Sequence, residues 1–239
     1  MVLRLKREKT ISLNEAIKKF EHVKGYISEW TRTEPMPTFY PDCNPTLRKL
    51  KFPNIIYPVG DPIFIHIYKD RNGLFNYHVI EPRVEAANIT KYDQIMEKMI
   101  EIASSLPVPH DVREIGPVLE KLFDKIVVVN ERENLLTKAV NPRIRVTQLE
   151  YDTIKYLILR NRVGYGKLEP VFLDPNLEDI HCTGVGKIKM IHKVFGMVYT
   201  NIEFKDDISL NKFVIEMSER VERPTSDANS VVDAMMPDG

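Results

Sequence analysis

Cysteine, tryptophan and long apolar runs are scarce in this sequence. Its 239 residues include two cysteines and one tryptophan. Because Cys43 and Cys182 lie far apart, no disulfide framework is expected, and a reducing cytoplasm is the predicted compartment. The N-terminus is charged and no apolar segment follows it, so no signal peptide is expected. Apolar runs such as residues 126–129 are far shorter than the roughly 20 residues of a membrane span, so any membrane contact is expected to be peripheral.

Net charge is also absent overall, although the charges are uneven along the chain. Lys and Arg together number 34, as do Asp and Glu, so no bulk positive charge favours nucleic acid. Residues 1–50 nevertheless carry ten basic against six acidic residues, and residues 170–239 carry seven against twelve. The basic end predicts either a solvated tail or a contact with an acidic surface.

Two Gly-x-Gly-Lys loops, at residues 164–167 and 184–187, raise the question of phosphate binding. Neither has the spacing of a Walker A or dinucleotide-binding motif, and Leu168 and Ile188 stand where a Walker A has Ser or Thr. The first loop is predicted to end a helix and the second to turn between strands. The spaced His and Cys of a zinc site and the flanked serine of a hydrolase are also missing, so no metal ligand or catalytic residue is predicted.

The N-terminal segment predicts a helix followed by a proline-rich stretch. Ser12 and Glu15 have the spacing of a capping box. The apolar residues of the helix then repeat at heptad spacing: Leu13, Ala16, Phe20, Val23, Ile27 and Trp30. This helix either packs on its own domain or serves as a partner-binding arm. Residues 33–62 hold seven prolines and are expected to form an extended connector or surface loop, not a helix or central strand.

A hairpin is predicted next, because Asn72-Gly73 separates two runs of strand-forming residues. A two-residue turn at that position pairs Tyr68 with Tyr77. It also places His66 and His78 on opposite faces of the ribbon, so they are not expected to share a site.

Helical and strand patterns continue to residue 222. Helices are predicted from Thr90 to Ser105, from Asp111 or Gly116 to Glu131, from Thr147 to Arg162 and from Ser209 to Glu222. Strands are predicted around residues 177–182, 187–193 and 196–204. The acidic pairs at 178–179 and 206–207 are expected to lie in loops and to cap or be solvated. These elements predict an α+β fold, with a boundary near residues 134–146.

The second half resembles the N-terminal domain of archaeal type II and type IV secretion ATPases, the assembly motors of the archaellum and of archaeal type IV pili. The pattern G-x-G-x-L-x-P followed by D-P-x-L-E-D-I is matched by Gly164, Gly166, Leu168, Pro170, Asp174, Pro175, Glu178, Asp179 and Ile180. A T-N-I-x-F strand is matched by Thr200, Asn201, Ile202 and Phe204. The entry to the ATPase domain is matched by Asp233, Pro237, Asp238 and Gly239.

The resemblance implies four segments. Residues 1–32 would be a basic helical arm, and residues 33–138 a variable region with the proline-rich connector, the hairpin and two helices. Residues 139–232 would be the small, sandwich-like α/β N-domain of these ATPases, and residues 233–239 the junction to a missing ATPase domain. Because Walker motifs are absent from the sequence, this chain is expected to be non-catalytic, whereas ATP and magnesium are expected for the parent motor.

The resemblance also implies partners and contact residues. The expected partners are the chain's own ATPase domain, neighbouring subunits of a hexamer and a membrane platform protein at the inner face of the cell membrane. Arg220 and Arg223 are the candidates for contact with nucleotide, although Arg220 also fits a helix-end cation. The arm is the candidate for binding anionic lipid or protein, through Arg4, Lys6, Arg7, Lys9, Phe20 and Trp30. The alternatives are a standalone protein-binding scaffold and, less favoured by the charge balance, a nucleic-acid-binding module.

Overall fold

The computed structural model of the protein describes residues 12–84, 88–106, 112–129, 143–221 and 223. The chain divides into two compact units: unit 1 comprises the described parts of Met1–Glu81 and Lys167–Gly239, and unit 2 those of Pro82–Gly166. Unit 1 is discontinuous because strands from both parts of the chain share one sheet.

Both units combine helices and strands, in agreement with the expected mixed α and β class. The helices are α1 (Leu13–Lys19), α2 (Glu21–Trp30), α3 (Ile89–Ala103), α4 (Val112–Ile126), α5 (Gln148–Arg162), α6 (Glu169–Phe172) and α7 (Asp207–Arg220). The strands are β1 (Thr38–Phe39), β2 (Asn54–Gly60), β3 (Ile63–Lys69), β4 (Phe75–Ile80), β5 (Val127–Val129), β6 (Ile144–Val146), β7 (Leu177–His181), β8 (Gly186–His192) and β9 (Gly196–Phe204). Short 3-10 helices occur at Pro45–Lys49 and Gly166–Leu168.

The sheet of unit 1 has the strand order β1-β2-β3-β4-β9-β8-β7. β2, β3 and β4 form one antiparallel meander, and β7, β8 and β9 form another. The meanders meet where β4 and β9 run parallel, through the pairs Asn76–Tyr199 and Tyr77–Thr200. Because this backbone junction is short, side-chain contacts across it carry much of the connection between the meanders.

The predicted register of the β3–β4 hairpin is wrong by one residue. Tyr68 pairs with Asn76, and His66 pairs directly with His78, so the two histidines lie on the same face. The Asp70 carboxylate accepts hydrogen bonds from the backbone N–H of Asn72 and of Leu74, both at 2.9 Å. This side chain extends the turn by one residue beyond the predicted two-residue loop, with Gly73 at φ 82°.

The proline-rich segment also departs from its prediction, because Asn54–Gly60 forms a strand inside the sheet. Pro58 lies beside a register shift between β2 and β3. On its other side β2 pairs with the two-residue β1 at Ile55 and Ile56, away from Pro58. The proline therefore occupies a position at which no ladder hydrogen bond to β1 is required.

The N-terminal helical segment packs on unit 1. The capping box of Ser12 and Glu15 is confirmed. The expected heptad helix is interrupted at Phe20, which adopts an extended conformation between α1 and α2. The buried side of both helices contacts the sheet through a cluster that contains Leu13, Ala16, Val23, Ile27, Ile56, Phe64 and Ile80. The helices thus bury their apolar side within their own unit, which was one of the two predicted alternatives.

Unit 2 has its own core between α3, α4, α5 and the parallel pair β5–β6. This core is made of Ile95, Met99, Leu122, Phe123, Ile126, Val127, Val146, Ile154 and Ile158. The predicted helix to Arg162 is confirmed, and Thr147 and Glu150 form its capping box. Helix α3 begins after Asn88, so Thr90 lies inside the helix instead of capping it.

Both glycine loops have the local roles predicted from the sequence. Gly164 follows α5 and its N–H donates to the Leu159 carbonyl at 3.0 Å, which closes the helix end. Gly184, at φ 138°, lies between β7 and β8, and Gly186, at φ 125°, is the first residue of β8. Ser209 was wrongly predicted as the N-cap of α7. The Asp206 carboxylate accepts from the Ser209 N–H at 2.7 Å, so Asp206 is the N-cap, in line with the capping role expected of the acidic pair at 206–207.

Candidate functional site

A buried polar network surrounds Asp174, in the turn between α6 and β7. Tyr57 of β2 donates to the Asp174 Oδ2 at 2.7 Å, and Tyr77 of β4 donates to the same oxygen at 2.9 Å. The other oxygen accepts from the backbone N–H and the side-chain amide of Asn176, both at 2.9 Å. The carboxylate is 4% exposed and is held by four donors without a salt-bridging cation among the described residues.

His192, at the end of β8, extends this network in one direction. Its Nδ1 accepts from the backbone N–H of Val194 at 3.1 Å, which assigns the ring proton to Nε2. Nε2 lies 3.2 Å from the Tyr57 hydroxyl, whose own proton points to Asp174. The hydrogen bonds therefore run from His192 through Tyr57 to the carboxylate.

The burial of these groups fixes their protonation states. Burial raises the pKa values of Tyr57 and Tyr77 well above their usual range, and the Asp174 charge adds to the rise, so both remain hydroxyl donors. Burial lowers the pKa of His192 to about 4, against the opposing attraction of Asp174. Burial likewise raises the pKa of the nearby Cys43 thiol to about 12, again with a contribution from Asp174. This network connects β2, β4 and β8 to the turn between α6 and β7. It does not present an acid or a base at the surface.

Asn201 makes a second connection across the β4–β9 junction. Its amide nitrogen donates to the Val79 carbonyl at 3.0 Å, and its amide oxygen accepts from the Val79 N–H at 2.8 Å. The side chain therefore takes the place of a neighbouring strand beyond the point where backbone pairing ends. Asp174 and Asn201 both belong to the motif of the resemblance, and both connect the second meander to the first.

A second buried centre lies on the opposite face of the sheet, beneath α2. Tyr26 and the His66 Nδ1 are 2.6 Å apart, and the His66 Nε2 lies 2.7 Å from the Asn54 amide oxygen. The Asn54 amide nitrogen donates to the Pro35 carbonyl at 2.9 Å, so its oxygen accepts and the His66 ring proton resides on Nε2. Burial lowers the pKa of His66 to about 3, and the neighbouring His78 contributes to the decrease.

Sequence reasoning found only part of these two centres. Asp174 and Asn201 were identified through the motif, whereas Tyr57, Tyr77, His192, Tyr26 and His66 were not identified as members of a network. No local signal marks these five residues, because their partners lie far away in the sequence. The alternation of apolar residues around Tyr77 and His192 indicates buried strands, but it does not specify a hydrogen-bond partner.

The other motif residues are spread over the C-terminal half of the chain. Pro170 is buried in α6, and the Pro175 carbonyl accepts from the Lys193 Nζ at 2.5 Å. The strand predicted around residues 177–182 is confirmed as β7, an edge strand of the described sheet. Glu178 and Asp179 are exposed on this strand, so the expectation that the pair lies in a loop was wrong. Gly166 adopts a φ of 56° after α5. Asp174, Pro175 and Lys193 lie close together, but the motif residues as a group are not gathered at one site.

The arginines expected to contact nucleotide lie at the end of α7, whereas the described aromatic residues expected to contact membrane or protein pack against the sheet. Arg220 is the last residue of α7, where its charge is favourable to the helix dipole, and the Arg223 N–H donates to the Ser218 carbonyl at 2.9 Å. A nucleotide contact of either arginine stays a prediction. Phe20 and Trp30 contact the sheet of unit 1, with ring centroids 5.8 Å from Phe64 and 4.5 Å from His66 respectively.

Several predicted residues lie outside the described part of the chain: Arg4, Lys6, Arg7, Lys9, Asp233, Pro237, Asp238 and Gly239. Within the described ranges, no three or more His, Cys, Asp or Glu side chains are grouped to hold a metal ion. The helices in the same ranges include none that is long and apolar enough to cross a membrane.

Comparison with known proteins identifies archaeal relatives. An uncharacterized protein of Methanocaldococcus jannaschii is 40% identical over 235 residues, which cover 95% of this chain and 43% of that protein. A second uncharacterized protein of the same organism is 34% identical over 164 residues, which cover 68% of this chain and 60% of that protein. No protein-family model matches the chain. The chain thus spans less than two thirds of the length of either relative.

Proposed function

We propose that this chain is the N-terminal regulatory and interaction part of a hexameric secretion-family ATPase that drives assembly of an archaellum or a type IV pilus. In this proposal residues 139–232 are the sandwich-like N-domain of these ATPases. The remainder of the motor supplies the Walker motifs and binds ATP and magnesium. The assembly lies in the cytoplasm against the inner face of the membrane, where it meets a platform protein.

The observation that carries the proposal is the ordered set of motif residues from Gly164 to Phe204. Two of them, Asp174 and Asn201, form the side-chain connections between the two meanders of unit 1. A motif that holds a domain together is expected to be retained wherever that domain occurs. The longer archaeal relative, of which the matched part is 43%, leaves room for a motor domain beside the matched part.

The proposal is tested by ATP hydrolysis. We expect the purified longer Methanocaldococcus jannaschii relative to hydrolyse ATP in the presence of magnesium, whereas the 239-residue chain does not. Absence of both ATP binding and hydrolysis by the longer protein would contradict the proposal and favour the standalone protein-binding scaffold. Hydrolysis by the 239-residue chain itself would contradict its non-catalytic role.

The proposed role of Arg220 is tested in the same longer protein. If the position that aligns with Arg220 is an arginine in that protein, its substitution by alanine is expected to lower turnover, because a guanidinium stabilises phosphate charge. Unchanged turnover would leave Arg220 as a cation at the end of α7. The equivalent change at Arg223 tests whether one of the two arginines is enough to support normal turnover.

A further inference from the structure

Three loops at one end of the strands of the unit 1 sheet form a continuous surface, here called the loop edge. They are residues 50–53 before β2, residues 70–74 between β3 and β4, and residues 193–195 between β8 and β9. The Lys69 N–H donates to the Pro53 carbonyl at 3.2 Å, which joins the first loop to the hairpin. The Phe75 and Phe195 rings lie 5.8 Å apart, which joins the hairpin to the third loop.

The loop edge exposes apolar side chains at its tips. Phe52 is 74% exposed, Leu74 is 43% exposed and Leu50 is 37% exposed. A single exposed apolar residue is ordinary on a protein surface, but three on adjoining loops form a patch.

The same edge is basic and has few acidic residues. The cations in these loops, or directly preceding them in the chain, are Lys49, Lys51, Lys69, Arg71 and Lys193. None of these five makes an ion pair with another residue of the described chain. Asp70, the carboxylate within the hairpin loop, is occupied by the backbone N–H groups of Asn72 and Leu74. The loop edge therefore presents a positive surface around an apolar centre.

The cations and the aromatic rings of the loop edge are in contact with each other. The Lys51 Nζ lies 5.6 Å from the Phe52 ring centroid, and the Lys69 Nζ lies 5.8 Å from the same centroid. The Lys69 Nζ is also 5.2 Å from the Phe75 ring. A ring surrounded by lysine heads over an apolar centre is the arrangement that suits an interface between water and hydrocarbon, where the ring inserts and the ammonium groups remain at the headgroups.

We propose that the loop edge docks on the surface of an anionic lipid bilayer, with Phe52, Leu50 and Leu74 entering the acyl boundary and the five cations at the phosphates. Leucine side chains at the tips of loops do not stack on bases, which disfavours a nucleic-acid strand. The inference deepens the proposed function, on whose membrane-side location it rests. The inferred membrane contact is made by the loop edge, and not by the basic arm that the sequence suggested.

The proposal is tested by co-sedimentation of the 239-residue chain with lipid vesicles. We expect binding to vesicles of mixed phosphatidylglycerol and phosphatidylcholine, and little binding to phosphatidylcholine alone. Each Lys or Arg near an anionic surface contributes about fivefold in affinity, so the double charge reversal Lys49→Glu/Lys51→Glu is expected to weaken binding by at least roughly twentyfold. Phe52→Ser is expected to weaken it further.

Matched controls come from α7 and from the arm. Ile208 is 82% exposed, and the Lys212 side chain is 76% exposed, so Ile208→Ser/Lys212→Glu removes comparable groups from another surface. That variant is expected to bind like the parent chain. Deletion of residues 1–11 is expected to leave most of the binding intact.

Three results would overturn the proposal. They are absence of binding to anionic vesicles, undiminished binding by the loop-edge variants, and equal loss in the α7 control. Binding of the loop edge to a single-stranded oligonucleotide or to an acidic protein, without vesicle binding, would assign it to that partner instead. Vesicle binding requires no ATP, so its failure is distinguishable from failure of the ATPase proposal.

Discussion

Two buried histidines lie on opposite faces of one sheet and are held in the same tautomer, but their hydrogen bonds end at different acceptors. His66 accepts from Tyr26 and donates to the neutral amide of Asn54. His192 accepts from the Val194 N–H and donates through Tyr57 to the carboxylate of Asp174. Both centres satisfy their polar groups, since no buried side-chain nitrogen or oxygen of the described residues lacks a hydrogen-bond partner.

The difference indicates which centre the fold depends on more strongly. When neutral groups are buried, their hydrogen bonds to water are replaced by hydrogen bonds within the protein, and the net gain in folding free energy is small. A buried carboxylate held by four donors is costly to desolvate, and loss of the group leaves all four donors without an acceptor. The Asp174 centre also joins strands from both meanders, whereas the His66 centre attaches a helix to the first meander alone.

The largest expected effect is that of Asp174→Ala. The substitution leaves the hydroxyls of Tyr57 and Tyr77 and the amide of Asn176 without an acceptor, and we expect a loss of about 3–5 kcal/mol in the free energy of unfolding. The matched change in the other centre, Asn54→Ala, removes a neutral acceptor and is expected to cost about 1–3 kcal/mol. Urea denaturation followed by circular dichroism measures both. Equal losses would break the comparison between the centres.

The two capping boxes were predicted correctly from the sequence, whereas the helix caps at Thr90 and Ser209, the hairpin register and strand β2 were not. The capping boxes at Ser12 and Thr147 were predicted because each involves residues three positions apart. The β2 strand was missed because the prolines of residues 33–62 argue against a strand, and only the sheet shows that Pro58 lies where β1 does not pair. The hairpin register was missed because the Asp70 side chain, not Asn72-Gly73 alone, determines the turn.

The two centres illustrate the same limit within the candidate site. Asp174 was singled out through its motif, but its donors Tyr57 and Tyr77 are separated from it by 117 and 97 residues. The partners of His66, Tyr26 and Asn54, belong to segments predicted as a possible arm and a connector. A hydrogen bond between segments so distant depends on strand order, which periodicity does not determine.

Acid is expected to destabilise both centres, and to a comparable degree. Histidine ordinarily titrates near 6.5, whereas burial lowers the pKa to about 3 for His66 and to about 4 for His192. The unfolded chain therefore binds protons below about pH 6.5 that the folded chain does not, and stability falls as the pH decreases from that point towards the folded pKa values. The expected loss is on the order of 2 kcal/mol for each histidine at pH 5.

This pH dependence is measured by urea denaturation at several values between pH 7 and pH 5. The window separates the histidines from Glu15, Asp70 and Asp206, whose lowered pKa values act in more acidic solution. His22, whose pKa burial also lowers, contributes a background in the same window. We expect His66→Gln and His192→Gln each to flatten the dependence. If only His66→Gln does so, Asp174 stabilises protonated His192 more than its burial opposes it.

The smallest expected effects come from removal of single hydroxyl groups, with all rings retained. Tyr57→Phe removes both the donor to Asp174 and the acceptor for His192, and is expected to cost about 1.5–2 kcal/mol in the free energy of unfolding. Tyr26→Phe removes one neutral donor to His66 and is expected to cost about 1 kcal/mol. Tyr199→Phe is the matched control, because the Tyr199 hydroxyl makes no hydrogen bond to the described residues, and its expected change is close to zero. If Tyr26→Phe costs as much as Tyr57→Phe, the carboxylate adds nothing to the strength of its centre, and the two faces of the sheet are held equally.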